Sequence, residues 1–380
     1  MRVALLTSDS RENYKDYAHP TPYFGTAPEA LIQGFNGIEG IQLHVFSCLQ
    51  AAAPSPEKIG ENVWYRALHV PKLGWMRTGY MGCIRAVRKA VQHWRPDIVH
   101  AQGTERDCAI SGILCGYPNV LTIHGNHRLI ARVTGAKPFT YVWLAAWLER
   151  FVLPRTDGVV CITSYTQEAV RDLARKTWIV PNAVHQSFFG VRKQVVDYAV
   201  ILFVGHVCLR KNQNAFIKAM DALTAKHTFT VRFFGAVQKS DDYGREFLEL
   251  VSARPWCDFQ GFADRERLQQ ELSTAALLVL PSLEDNCPMV VLEAMASGVP
   301  VVASHVGGIP DLIDHEETGL FCKPNDQADI RSKVHRILAD PAAARVMADR
   351  ARELALARFY PKSIALRHVE IYRELLSTVS

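Results

Sequence analysis

The sequence predicts an α/β protein of two domains, each built on an open, mostly parallel sheet with helices on both faces. The chain has 380 residues, which favours two domains over one. Short apolar runs alternate with amphipathic segments, as in βαβ units. The alternation stops in an irregular stretch at 183–198 and then restarts. We therefore place the domains at 1–188 and 189–360, with ligands expected in a cleft between two facing sheets, beyond the carboxyl ends of their strands.

Each domain is expected to hold its own series of strands and helices. In the first, the predicted strands are Arg2–Thr7, Ile41–Phe46, Ile98–Ala101, Asn119–His124 and Gly158–Thr163, and the predicted helices are Ala27–Phe35 and Met81–Trp94. In the second, the predicted strands are Ala199–Val204, Val231–Phe234, Leu277–Leu280, Val299–Ala303 and Gly319–Phe321, and the predicted helices are Asn214–Leu223, Arg265–Ser273 and Pro288–Ser297.

Composition limits the class of protein and its compartment. Hydrophobic residues make up 48% of the chain, which argues against disorder, and the net charge of +5 is too modest to indicate a nucleic-acid partner. The nine cysteines are dispersed and form no Cys-x-x-Cys pair, as expected for reduced thiols. No signal peptide and no run of about 20 apolar residues is present. These features predict a cytoplasmic protein, soluble or peripheral at the inner face of a membrane.

The most informative segment is Leu280–Ser304, LPSLEDNCPMVVLEAMASGVPVVAS. A strand leads through a polar loop into a helix, whose unpaired N–H groups and partial positive charge can bind a phosphate without a metal. Asp285 precedes this helix, and Glu293 falls in its second turn. Carboxylates accept hydrogen bonds from neighbouring sugar hydroxyls, so the two acids can hold two sugars. The alternative is that they are ordinary acidic residues stabilising a helix start.

This segment, with the following HVGGIPDLIDHEETGLF, closely resembles the donor-binding segment of retaining GT-B glycosyltransferases of family 4. The resemblance implies two Rossmann-like domains, and a donor whose ribose is bound by Glu293. It implies that the hexose and phosphate are bound by Asp285 and the backbone of Asn286, Cys287, Pro288, Met289 and Val290. The family more often has Glu as the first acid; here Asp285 is in register and Glu284 lies one position early.

Two further segments of the second half resemble the same family. In VILFVGHVCLRKNQNAFIKAM, Gly205 and Lys211 match, and Lys211, helped by Arg210, would neutralise the diphosphate. His206 stands where the family has arginine. The alternative for the two cations is a solvated basic turn. FQGFADRERLQQELSTAALLVLPS resembles the family's strand and loop over the nucleotide base. The resemblance implies that backbone groups near Phe262 contact the base. The alternative for the Phe262 side chain is that it is a plain core or loop aromatic.

The resemblance continues more weakly in the first half. TPYFGTAPEALIQGF corresponds to a glycine loop that approaches the phosphate and acceptor, with only Gly25 present. LTIHGNH places His124 at a strand end, facing the donor sugar, where the alternative is a structural histidine. FYPKSIALRHVEIYRELL resembles the terminal helix of this fold, about 361–380, which packs back on the first domain. His124, Lys211 and Asp285 are the predicted catalytic residues.

The implied reaction is transfer of a hexose from a nucleoside-diphosphate sugar, such as a UDP- or GDP-sugar, to a hydroxyl acceptor with retention of configuration. No Asp-x-Asp occurs, so we expect no metal and no cofactor. Biosynthesis of a cell-surface polysaccharide or glycoconjugate is the expected setting. Two alternatives stay open: a sugar-nucleotide epimerase of the same architecture, and a non-catalytic sugar-nucleotide-binding relative. The absence of Gly-x-Gly-x-x-Gly disfavours a dinucleotide dehydrogenase.

A basic segment at 72–95 suggests where the acceptor comes from. It has no acidic residue and carries Trp75, Tyr80 and Trp94. Arg85, Arg88 and Lys89 share one helix face by their spacing. Cations with interfacial aromatic residues favour peripheral contact with an anionic membrane and a lipid-linked acceptor. The alternative is a solvated helix with ordinary core aromatics.

Overall fold

The structure is a computed structural model that describes residues 1–133, 135–194, 196 and 198–379. The chain divides into two compact units. The first contains Met1–His185 and the C-terminal segment that begins at Pro361, and the second contains Gln186–Tyr360. The predicted junction at 183–198 includes positions 195 and 197, which lie outside the described residues, as does position 380 of the predicted C-terminal helix.

The first unit is built on a seven-stranded parallel sheet with the order β3-β2-β1-β4-β5-β6-β7. Its strands are β1 (Arg2–Leu6), β2 (Gln42–Leu49), β3 (Val63–His69), β4 (Ile98–Gln102), β5 (Asn119–Ile123), β6 (Gly158–Cys161) and β7 (Thr177–Ile179). The helices between them are α1 (Ser10–Tyr14), α2 (Thr26–Phe35), α3 (Met81–Trp94), α4 (Asp107–Leu114), α5 (His127–Val133), α6 (Tyr141–Val152) and α7 (Ser164–Val170).

Both faces of this sheet are covered, which explains why its central strands are continuous apolar runs. Side chains alternate in direction along a strand. Accordingly, Val3 and Leu5 of β1 belong to the buried cluster that includes α2, whereas Ala4 and Leu6 belong to the cluster that includes α3. The sheet is therefore the central layer of a three-layer domain.

The second unit is built on a six-stranded parallel sheet with the order β10-β9-β8-β11-β12-β13. Its strands are β8 (Ala199–Val204), β9 (Phe229–Phe234), β10 (Cys257–Gly261), β11 (Ala275–Leu280), β12 (Val301–Ser304) and β13 (Leu320–Cys322). Its helices are α8 (Gln213–Met220), α9 (Asp242–Ser252), α10 (Arg265–Thr274), α11 (Met289–Ala296), α12 (Gln327–Ala339) and α13 (Pro341–Arg358). The prediction of two Rossmann-like parallel-sheet domains is confirmed.

The last helix, α14 (Pro361–Val379), belongs to the first unit and packs against α2. The rings of Phe35 and Tyr372 stack with their centroids 6.2 Å apart. Gly34 allows the two helices to approach, because a Cβ atom there would lie 2.1 Å from the carbonyl oxygen of Pro361. The C-terminal helix therefore completes the core of the first domain.

For two of the boundaries that differ from the sequence prediction, the structure shows a local reason. The strand expected from Val299 begins at Val301 instead, because the Val299 N–H bonds to the Ala294 carbonyl and closes α11. Pro300 has no N–H to contribute to a ladder. The helix expected from Pro288 begins at Met289, with Pro288 in an extended conformation as its N-cap.

Candidate functional site

Two loops of the second domain meet at the carboxyl ends of its central strands. β8 ends at Val204 and its parallel neighbour β11 ends at Leu280. The strand order changes direction between them, and doubly wound sheets bind ligands at such a point. The loops are joined by a hydrogen bond of 2.8 Å from the Leu283 N–H to the Arg210 carbonyl. The fold thus brings the predicted basic and acidic motifs together.

The centre of this site is an ion pair between Lys211 and Asp285. The Nζ and Oδ2 atoms are 2.5 Å apart, and the two side chains are only 11% and 10% exposed. Ser282 Oγ donates to the same carboxylate oxygen at 3.1 Å. Arg210 Nη1 lies 3.5 Å from the other oxygen and donates to the Glu284 carbonyl at 2.9 Å. Asp285 therefore accepts from two side-chain donors and has Arg210 as a second ion-pair partner.

This arrangement changes the expected part played by Lys211. Its charge, predicted to neutralise a diphosphate, is already compensated by Asp285. Glu284 lies 3.7 Å from Arg210, so the two cations and two acids of the loops carry no net charge together. To bind a diphosphate, Lys211 has to exchange the carboxylate for phosphate oxygens.

The helix α11 starts directly after these loops. Met289 is its first residue, and the N–H groups of a first helical turn have no partner within the helix. Gly307 fixes the approach to this turn, since a Cβ atom there would lie 1.8 Å from the Asp285 carbonyl oxygen. The same oxygen accepts a 3.0 Å bond from the Gly308 N–H. The glycine pair was given no role in the sequence analysis, although its adjacency to the acidic segment was a usable signal.

Glu293 lies on α11 and is 5% exposed. Burial raises the pKa of its carboxyl group to about 7, against the opposing positive charge of Arg265. Within the described part of the chain, its carboxylate makes no hydrogen bond. A buried carboxylate without donors is costly. The side chain is therefore suited to accept hydrogen bonds from ligand hydroxyls.

The other predicted residues of the second domain lie around the same loops. Gly205 follows β8, and His206 is exposed, with its carbonyl accepting a 3.0 Å bond from Gln213 Nε2. Phe262 follows β10 and is 75% exposed. A core position for Phe262 is thus wrong; it is a loop aromatic available to a ligand.

In the first domain, His124 directly follows β5 and is partly exposed. Its Nε2 lies 2.8 Å from Oε1 of Gln102, the last residue of β4. Burial lowers the pKa of His124, while Glu105 and a hydrogen bond with Asn182 oppose that shift. Gln102 was missed in the sequence analysis; its place at a strand end was the signal that could have found it.

Gln102 connects His124 to a buried network that reaches the C-terminal helix. Its Nε2 lies 2.9 Å from His100 Nε2, and His100 Nδ1 lies 2.5 Å from the Tyr372 hydroxyl. Burial holds the pKa of His100 well below its usual value, so this imidazole is neutral and carries one ring proton. The network can therefore fix the orientation of His124 from α14.

Gly25 lies at the start of the second helix of the first domain. It is the N-cap of α2, with φ of −59°, which any residue can adopt. A Cβ atom would meet only Pro28 Cδ, at 3.8 Å. The contacts within the chain do not require glycine here, and the approach of its backbone to phosphate and acceptor stays a prediction.

The aromatic residues of 72–95 are buried or partly buried, which contradicts the prediction that they are interfacial. Trp75 and Tyr80 are 5% and 4% exposed, and the Trp75 indole N–H donates to the Val70 carbonyl at 2.9 Å. They are core residues of the first domain, and Trp94 is partly buried against Arg2. The exposed apolar side chains near this segment's start are Leu73, Met76 and Met81. Arg85, Arg88 and Lys89 are exposed on α3, as their spacing predicted.

One group of metal-ligand type lies away from the donor loops. The ligand atoms of Cys48, Cys83 and Asp107 are within 4.8 Å of one another, and all three residues are buried. A hydrogen bond with Cys83 and burial raise the pKa of Cys48 well above its usual value, and burial raises that of Asp107. The three side chains are therefore part of the buried interior of the first domain. The nine cysteines are all free thiols.

The two parallel-sheet domains, with the last helix returned to the first, have the architecture of the GT-B fold. The fold matches sucrose-phosphate synthase from Thermosynechococcus elongatus with a TM-score of 0.79 and 21% identity over the whole of both chains. It also matches HepE from Anabaena in complex with UDP-glucose, with a TM-score of 0.72 and 16% identity over 98% of this chain and 100% of that one.

The chain belongs to glycosyltransferase family 4, as the sequence predicted. Residues 29–188 match the model "Glycosyltransferase Family 4", and residues 186–354 match "Glycosyl transferases group 1". The chain is 25% identical over 386 residues to alpha-D-kanosaminyltransferase from Streptomyces kanamyceticus, covering 91% of this chain and 98% of the relative. It is 28% identical over 293 residues to glycogen synthase from Mycobacterium tuberculosis, covering 73% and 69%.

Proposed function

We propose that the protein transfers a hexose from a nucleoside-diphosphate sugar to a hydroxyl acceptor, with retention of configuration and without a metal or other cofactor. The observation that carries this proposal is the pairing of Lys211 with Asp285 beside the N-terminus of α11 and the unpartnered Glu293. Cations, helix N–H groups and carboxylates are the groups that a diphosphate flanked by two sugars requires.

Binding of the donor would proceed by an exchange of partners. The diphosphate takes Lys211 and Arg210 from Asp285, and the released carboxylate accepts hydrogen bonds from the hexose. Glu293 accepts from the ribose hydroxyls. The fixed charges and the first turn of α11 then stabilise the leaving diphosphate as its charge develops.

The family resemblance supports a substitution on one face of the sugar. The bond from the anomeric carbon to the phosphate oxygen breaks, and the acceptor oxygen bonds to the same face of that carbon. The acceptor proton passes to the leaving phosphate. The product then keeps the configuration of the donor.

The donor class is supported by the fold match to HepE in complex with UDP-glucose. A UDP- or GDP-sugar is proposed as donor, and a glycan, lipid-linked or small-molecule hydroxyl as acceptor. The proposed setting is polysaccharide or glycoconjugate synthesis in the cytoplasm. Peripheral contact with an anionic membrane through 72–95 is part of the proposal, using Leu73, Met76 and Met81 with the exposed cations.

A panel of UDP-, GDP- and ADP-sugars tested by thermal shift in EDTA would examine the proposal. A true donor at a hundredfold excess over its Kd stabilises the fold by about 2.7 kcal/mol. Slow hydrolysis of that donor would distinguish an enzyme from a non-catalytic binder. Stabilisation by no sugar nucleotide would contradict the proposal, and stabilisation without hydrolysis or transfer would favour the binder.

A further inference from the structure

Helices α5 and α6 expose apolar side chains that the proposed reaction does not use. Phe139, in the loop between them, is 85% exposed, Trp147 is 51% exposed and Tyr141 is 48% exposed. Single exposed apolar residues are ordinary, but neighbouring ones rimmed by charge mark interaction sites. We call the set Arg128, Arg132, Phe139, Tyr141, Trp147 and Arg150 the α5–α6 surface.

The cations of the α5–α6 surface form no close ion pair with the described carboxylates. Arg128, Arg132 and Arg150 line an open groove of about 500 Å³ that also contains Trp143 and Trp147. Arg128 donates to the Ala169 carbonyl at 3.1 Å. Among the described residues, no carboxylate lies within 4 Å of any of these three guanidinium groups, although exposed arginines elsewhere in the chain form several such pairs. Asp172 also lines the groove, so three arginines face one carboxylate and the surface carries a net positive charge.

The position of Phe139 is not explained by folding. Its φ of 66° is in the left-handed region, which costs an L-residue free energy. Its ring lies beside that of Trp143, with the two centroids 5.6 Å apart. A large apolar side chain held outward on an unfavourable backbone conformation is one that a partner can bury.

We propose that the α5–α6 surface docks on an anionic lipid bilayer. Phe139 enters the boundary between headgroups and acyl chains, and Trp147 and Tyr141 lie at the headgroup level, as these ring types do. The three arginines bind lipid phosphates, to which the guanidinium fork is matched. The charge complementarity and the outward apolar side chains both favour a bilayer over a dissolved anion.

The α5–α6 surface adjoins the segment already proposed to contact the membrane. Tyr80 precedes α3, and Tyr141 starts α6. Helix α4 packs against both α3 and α6, so the two segments lie on the same side of the sheet. The inference extends the proposed peripheral contact to a second segment of the same domain. It does not depend on the transferase reaction.

Vesicle co-sedimentation at low salt tests the inference with the full chain. The vesicles contain phosphatidylcholine with phosphatidylserine, and vesicles of phosphatidylcholine alone are the reference. Replacing Arg128, Arg132 and Arg150 together by Gln should lower partitioning about a hundredfold, since each cation near such a surface contributes about fivefold. Phe139→Ser should lower it about tenfold. Replacing Arg336, Arg345 and Arg350 of the second domain by Gln is the control for net charge and should leave partitioning within about twofold.

Three outcomes would overturn the inference. One is unchanged partitioning of both α5–α6 variants when thermal melting shows them folded. Another is loss of partitioning only when Arg85, Arg88 and Lys89 are replaced, which would confine the contact to 72–95. The third is a wild-type chain that ignores vesicles but binds an acidic oligosaccharide through the three arginines. Sedimentation needs no turnover, so failure of the proposed transferase reaction would show separately, in the donor assays.

Discussion

The buried carboxyl group of Glu293 makes the proposed donor site sensitive to pH. Burial raises its pKa to about 7, far above that of a carboxyl group in an unfolded chain. The protonated form is thus favoured by folding, and the stabilisation it gives is lost as the pH rises through about 7. Ribose hydroxyls would favour the ionised form, because they donate to it. Donor binding and protonation of Glu293 therefore oppose each other.

We expect donor affinity to rise as the pH increases from about 6 to about 8, and Glu293→Gln to remove most of this rise. At the upper pH the substitution should also weaken binding by about 1.5–3 kcal/mol, the value of a charge-assisted hydrogen bond. Isothermal titration with the donor found in the panel measures both effects. Glu249→Gln, at an exposed acid of α9, is the matched control. A wild-type affinity independent of pH would contradict the assignment.

The sequence indicated which residues form the candidate site more readily than it indicated which residues they contact. Lys211 and Asp285 were both selected from motifs, but their ion pair joins residues 74 positions apart and depends on β8 lying beside β11. Gln102 was missed because a glutamine carries no chemistry of its own in a motif. Its significance comes from the 2.8 Å contact with His124, which only the neighbouring strands β4 and β5 create.

Gln102 should act as a positioning residue for His124. Gln102→Leu removes the hydrogen bond, and we expect turnover to fall several-fold to tenfold, the effect of about 1–1.5 kcal/mol. Gln102→Glu places a negative charge beside the imidazole and should shift the acidic limb of the pH–rate profile upward. Nitrogen NMR of labelled histidine should show an altered His124 tautomer in the Leu variant. An unchanged tautomer and profile in both variants would leave Gln102 with a structural part only.

At the scale of elements, the central strands of each sheet were predicted from the sequence better than the edge strands. Helix α3 and strand β8 have the predicted bounds. The strands not predicted, β3 and β7, are both at sheet edges. An edge strand is only partly buried, as in the mixed pattern of Val63–His69, so its apolar signal is weaker than that of a central strand.

The packing of α14 on α2 gives a test at this scale. Gly34→Ala places a methyl group where the Pro361 carbonyl lies 2.1 Å away, so the helix must shift. Overpacking of this kind typically costs about 1–3 kcal/mol of unfolding free energy. Denaturant unfolding should show that loss, whereas Gly190→Ala, where a Cβ meets nothing within 4 Å, should not. Equal stability of the two variants would mean that the close approach is easily relaxed.

For the whole molecule, the proposed reaction depends on fixed charges of the chain rather than on a bound ion. Lys211→Ala should therefore lower turnover strongly, because Asp285 loses its partner and the leaving diphosphate loses a cation. EDTA should leave wild-type turnover nearly unchanged. Steady-state assays with the identified donor, with and without chelator, measure both. Activity that is abolished by EDTA and restored by magnesium or manganese would point to a metal-assisted mechanism instead.

The return of α14 to the first domain also affects the order in which the chain acquires its structure during synthesis. About 175 residues separate His185 from Pro361, and all of them belong to the other domain. At about 5–20 residues per second, the ribosome needs roughly 10–35 s to supply the helix that covers Phe35. During that interval the second domain can fold as a continuous unit, while the first presents an uncovered apolar face. We therefore expect the N-terminal domain to complete its folding last and to depend on chaperones until α14 has been synthesised.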